Sequence, residues 1–86
     1  MKKRTIQEIL AQLRHELRRA QDIDPDALRR TEELHRDIEG IDDRNDHDIQ
    51  SLLDRARELE TRFAAQHPTL ERVARDLADA LAKMGV

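Results

Sequence analysis

The sequence predicts an all-α fold of four short amphipathic helices, arranged as two helical hairpins and bundle-like overall. Three observations carry this expectation. Apolar residues make up 37% of the 86-residue chain, and they recur at steps of three and four along its length. Ala, Leu, Glu and Arg dominate and β-branched residues are few, which favours helix. Only two Gly and two Pro interrupt the chain, and they fall at or near the ends of the apolar stripes. Charged residues reach 41%, a level found in disordered chains, but those lack regular apolar spacing.

The first helix is expected to begin after Thr5, because Thr5-Ile6-Gln7-Glu8 has the form of a capping box. Ile6, Leu10, Leu13, Leu17 and Ala20 then mark one face, widened by Ile9. The helix should stop near Gln21. Asp24 and Pro25 read as N-cap and first residue of a second helix, with acids in its first turn facing the positive dipole end. Its stripe is Ala27, Leu28, Thr31, Leu34, Ile38 and Ile41, and Gly40 is the expected stop, in the left-handed conformation that glycine takes cheaply. Residues 41–48 are the most polar stretch and the best loop candidate, ending in the N-capping types Asn45, Asp46 and Asp48. A third stripe follows at Ile49, Leu52, Leu53, Ala56, Leu59 and Phe63. Gln66-His67-Pro68 breaks it, since proline disfavours helical geometry at His67 but suits the first turn of a new helix. That break is either a reversal or a kink in one long helix. The fourth stripe is Leu70, Val73, Ala74, Leu77, Ala80/Leu81 and Met84, closed by Gly85. The expected core or oligomer-interface residues are therefore Leu10, Leu13, Leu17, Leu34, Ile38, Leu52, Leu59, Phe63, Leu70, Val73, Leu77, Leu81 and Met84. His67, Pro68, Gly40 and Gly85 are the expected structural turn residues.

Residues 1–86 are read as one helical domain with a lean, aliphatic core, Phe63 being its only aromatic. The absence of cysteine excludes disulfides, thiolate zinc sites and a cysteine nucleophile. No apolar run approaches the roughly 18 residues of a membrane span, and the basic start leads into an amphipathic pattern, unlike a signal peptide. A cytoplasmic protein without membrane association is expected. The net charge of −3 is unevenly spread: residues 1–20 carry six Lys/Arg against two Glu, whereas 21–48 carry four Arg against eleven Asp/Glu. The simplest expectation is that the basic first helix lies beside the acidic second one.

Phe63 to Leu70, FAAQHPTL, and Leu77 to Val86, LADALAKMGV, closely resemble the ending of small bacterial proteins grouped as domain of unknown function family 4404. Members open with a charged leucine-rich helix like Leu10 to Leu17 and carry a His-Pro-x-Leu turn, here His67-Pro68-Thr69-Leu70, before a last helix ending in Met-Gly-aliphatic, here Met84-Gly85-Val86. The resemblance covers the whole chain and is specific at His67-Pro68-x-Leu70 and Met84-Gly85. It implies an α-helical fold and supplies no catalytic residues.

Candidate chemistry is sparse. His67 fits a residue that caps a helix before its first proline better than a ligand or acid–base group, since no partner cluster stands at a supporting spacing. His15, His35, His47 and His67 fall on four segments, without the one-turn spacing of a zinc motif. A calcium-loop register from Asp43 puts Asn45 at position 3 and Asp54 at position 12, but His47 and Asp48 occupy positions 5 and 6, and the sixth needs glycine. Lys2, Lys3, Arg4, Arg14, Arg18 and Arg19 form a basic patch, set against an acidic balance and a single aromatic, a poor composition for nucleic-acid binding. Ile38-Glu39-Gly40-Ile41-Asp42 and Leu52-Leu53-Asp54-Arg55 faintly resemble the signature of all-helical chorismate mutase, an intertwined dimer, but that family runs both elements on one helix and DRNDHD intervenes here. No cofactor and no metal are expected.

What remains is a protein without enzymatic activity that acts through protein–protein contact, with itself as a homodimer, or a tetramer second, and with an unidentified protein partner. The alternative is an anionic small-molecule or nucleic-acid binder using the first helix's arginines. The case for self-association is energetic. Conformational entropy at roughly 1.5 kcal/mol per ordered residue nearly cancels what so thin a core provides. Ile9, Leu28, Leu53 and Leu81, beside their stripes, are expected to be partly exposed in one copy and covered by a second.

Overall fold

The computed structural model describes residues 2–40 and 46–84, with side chains for 4–40 and 49–83. Four helices occupy nearly all of this: α1 Lys2–Arg19, α2 Pro25–Glu39, α3 Asp46–Phe63 and α4 Pro68–Met84. No strand occurs among the described residues. Each helix follows its stripe, because a short helix in water is marginal until one face is buried.

The ends differ in part from expectation. The Asp24 carboxylate accepts the Ala27 N–H at 3.1 Å, and Pro25 opens α2. Thr5, however, is not an N-cap. α1 already runs from Lys2, so Thr5 has helical geometry, and the basic residues around it occupy the end where the dipole favours acids. Gly40 does cap α2, its N–H reaching Arg36 O at 3.2 Å, but at φ −91° and ψ 5°. The left-handed residue is Asp22, φ 60°, in the turn between α1 and α2. The polar stretch 41–48 is not all loop, since α3 begins at Asp46. The expectations for Ile41, Asn45 and Gly85 lie outside the described residues.

Pro68 marks a reversal. α3 tightens through Ala64 N–H to Thr61 O, and the His67 N–H then donates to Phe63 O at 2.9 Å. The His67 carbonyl in turn accepts the Glu71 N–H at 2.9 Å and starts α4. The His67 ring stands edge-on to Phe63, centroids 6.2 Å apart.

The helices form an antiparallel ring, each touching the next in sequence, with α4 closing on α1. The body measures 37 × 19 × 18 Å. Antiparallel order is fixed by the ends that meet. Asp26 of α2 reaches Arg62 at the far end of α3, while Asp37 reaches Arg55. The end of α1 at Glu16 and Arg19 lies beside the start of α4 at Pro68 and Leu70. α3 and α4 are the most intimate pair, α1 packs extensively on α4, and α1 and α2 barely touch.

Leu10, Leu13, Leu34, Ile38, Leu52, Leu59, Phe63, Leu70, Val73, Leu77 and Leu81 are all buried in one contiguous core. Leu17 is only partly buried, and the side chain of Met84 lies outside the described set. Thr31 is the one buried polar residue among those described, its hydroxyl donating to Ala27 O at 2.8 Å. Leu53 and Leu81, expected to be partly exposed, are buried within a single copy. α4 explains why: with α3 on one side and α1 on the other, its apolar arc is wider than one stripe. Ala74 and Ala78 are buried and Ala82 partly so, a ridge at four-residue steps. Arg75, just beyond Ala82 around the helix, reaches Glu60 of α3 at 3.1 Å, so this small-residue side faces α3 and lets the backbones approach.

Candidate functional site: an open seam between α1 and α2

Where α1 and α2 fail to close, a groove of about 330 Å³ remains. Leu10, Leu13 and Leu17 line it from α1, and Leu28 and Thr31 from α2. Leu28, 37% exposed, is the exposed large hydrophobic residue among those described. It belongs to the α2 stripe, yet it points into a gap that the chain itself leaves unfilled. Ile9 is partly buried. Of the four flanking residues expected to be uncovered, Leu28 is the clear case and Ile9 an intermediate one.

The rims of the groove carry opposite charge. Arg14 and Arg18 stand on the α1 side, Glu32 and His35 on the α2 side, and Glu39, with Arg36 beside it, continues the α2 rim. Arg14, Arg18 and Arg19 are exposed and pair with no acid among the described residues. The expected pairing of a basic α1 with an acidic α2 is therefore not found among the described residues, because these helices make little contact. Glu32 has no ion pair among the described residues either, while the His35 ring meets the Glu39 carboxylate one turn on.

Two acids of α2, Asp26 and Asp37, turn instead to α3. Asp26, Arg30, Glu58 and Arg62 close a ring of ion pairs: Arg30–Asp26 2.8 Å, Arg30–Glu58 3.0 Å, Arg62–Glu58 3.3 Å and Arg62–Asp26 3.1 Å. Hydrogen bonds from Arg30, then Arg29, hold the Asp26 carboxyl below its ordinary value of 3.8. The Arg30 guanidinium is raised in turn, chiefly by its bond to Asp26. The four-residue spacings Asp26–Arg30 and Glu58–Arg62 were visible as helical pairs. Their joining across two helices was not.

The remaining candidates disperse. His15 is exposed on α1, and no group of three metal-ligating side chains occurs among the described residues. The calcium-loop register fails structurally: from Asp46 onward its residues are helical, while Asp43 and Asn45 lie outside the described residues. Of the two mutase-like elements, the first begins with Ile38 and Glu39 at the end of α2 and the second, Leu52 to Arg55, lies in α3; Arg55 is held by Asp37 at 2.7 Å. No helix among the described residues is long and apolar enough to cross a membrane.

Fold and surface define a small antiparallel four-helix bundle with one incompletely closed seam. The chain belongs to the family described as Domain of unknown function (DUF4404), whose model matches residues 6–86. No curated protein and no solved structure matches it.

Proposed function

We propose that this protein is a self-associating helical module of the cytoplasm that works through protein–protein contact and performs no chemistry of its own. One observation supports the reading above others. Three of the bundle's four seams are packed, while the α1/α2 seam leaves Leu28 exposed and Leu17 half-covered. Apolar surface left at the edge of a core is stabilised when another helix covers it, at about 25 cal/mol per Å² removed from water. Light scattering at micromolar concentration tests the reading. A mass of two chains, or four, is expected. A mass of one chain that persists on concentrating the sample rejects it.

The unpaired Arg14, Arg18 and Arg19 favour a second reading, an anion binder. Retardation by heparin that weakens steeply with salt would support it. Unchanged migration at low salt would exclude it.

A further inference from the structure

We infer that the α1/α2 face is the surface by which two copies join, with Arg14 of each copy set against the partner's Glu32. This rests on the self-association proposed above and adds the surface, the symmetry and the pairing residues to it. The argument begins with the rims. A free anionic amphiphile of a size to fill the groove would satisfy Arg14 and Arg18 but would be repelled by Glu32 and Glu39 across it. A second copy brings both signs and answers both rims.

Symmetry then selects one arrangement. Two like faces can meet about a two-fold axis in the plane of contact, either across the helices or along them. An axis across the helices, through the middle of the groove, sets α1 on α1 and Arg14 on the partner's Arg14. An axis along the helices, running down the groove, sets each α1 against the partner's α2. Rotation about that axis leaves height along the bundle unchanged. Arg14, which already lies level with Glu32 and His35 across the groove, therefore meets the partner's Glu32. By the same rule Leu28, level with Leu17 at the other end of the groove, meets the partner's Leu17. A face 37 Å long and 19 Å wide is of the order that a standard interface covers on each side, roughly 800 Å². Like charges placed opposite one another would oppose the arrangement with the axis across the helices.

Mixing complementary charge reversals tests this. Arg14→Glu alone and Glu32→Arg alone each place like charges at both symmetry-related pairs, so each should weaken the dimer at least tenfold. Mixed in equal amounts, the two variants restore opposite charge at both pairs, and a heterodimer close to wild type in affinity is expected. Pairing within one chain could not be rescued by mixing. Both changed residues are exposed, and an unaltered circular dichroism spectrum and melting point would show that each variant folds. Leu28→Glu serves as a second probe and should also give monomers. A wild-type dimer that none of these variants disturbs, or weakened variants that mixing fails to rescue, would overturn the interface while leaving self-association standing. A wild-type monomer would overturn both. If that monomer bound dodecanoate and lost it on Arg14→Glu, the groove would belong to an anionic amphiphile instead.

Discussion

The two hairpins of this bundle are built differently. α3 and α4 meet through a ridge of small residues, Ala74, Ala78 and Ala82, with Leu52, Leu59, Phe63, Leu70, Leu77 and Leu81 around it. Across that junction Arg75 adds an ion pair to Glu60. α1 and α2 present larger side chains at their seam, Leu10, Leu13, Leu17 and Leu28 with Arg14 and Arg18 beside them, and they remain apart. α2 buries Ala27, Thr31, Leu34 and Ile38 in the core and is tied to α3 by largely exposed ion pairs. Helices close up where small side chains permit it and stand off where bulky or charged ones fill the approach. One half of the molecule is therefore core, and the other presents a surface.

The sharpest way to break this contrast is to empty each side in turn. Leu77 is fully buried, so Leu77→Ala should cost about 2–5 kcal/mol, a large part of what a small domain possesses. Leu28→Ala in dilute protein should shift stability by no more than about 0.5 kcal/mol. Urea unfolding of the two variants compares them directly, and equal losses would mean that the seam is as closed as the α3–α4 junction.

Local opening should follow the same division. α2 has the sparsest packing of the four helices, so its amides should exchange at least tenfold faster than those in the middle of α4. Raising the salt concentration should widen that gap by screening the pairs to α3. Uniform protection across α2 and α4 would contradict the description of α2 as the loosely held helix.

Asp24→Ala removes the bond to Ala27 N–H and should cost about 1 kcal/mol, seen as a lower melting temperature. Acid should act on α2 through Asp26. Its carboxyl titrates below the ordinary value in the folded state, so the folded state binds that proton less readily than the unfolded chain does. The resulting stability is present above the unfolded value, near 4, and is lost as pH falls through the folded one. The urea midpoint should drop on acidification below pH 4, and Asp26→Asn should flatten that part of the drop.

The smallest expected effects concern turns. Asp22 is left-handed, where glycine is the least strained residue, whereas Gly40 has an ordinary backbone, and an added Cβ would meet the Arg36 and Asp37 carbonyl oxygens at the ordinary contact distances of 3.8 and 3.9 Å. Asp22→Gly and Gly40→Ala should each raise stability by about 0.5 kcal/mol. A loss from either, measured by thermal unfolding, would show that its turn is held by something other than backbone preference.

Much of the fold was legible because it rests on local rules. The steps of three and four from Leu70 to Leu81 mark the buried arc of α4, and Asp24-Pro25 marks the start of α2, since both signals are contained within a helix or its cap. Thr5 misled because its capping-box pattern is also compatible with a position inside a helix that starts earlier. Gly40 misled because a helix can end without a left-handed residue, and Asp22 was missed because aspartate visits that region less often than glycine. The groove had a partial signal in Leu28, which lies at the margin of its stripe. Leu53 and Leu81 lie at similar margins and are buried.

By itself, then, the sequence determined that there are four helices, roughly where they start and stop, and which face of each is apolar. Those features depend on residues within a turn or two of one another. Only the tertiary structure decided that Asp26, Arg30, Glu58 and Arg62 form one ring, that Ala78 joins the core, and that α1 and α2 leave a seam with unlike rims. Each of these depends on the distance between helix axes, which is set by how side chains distant in sequence interlock, and no periodicity along the chain records it.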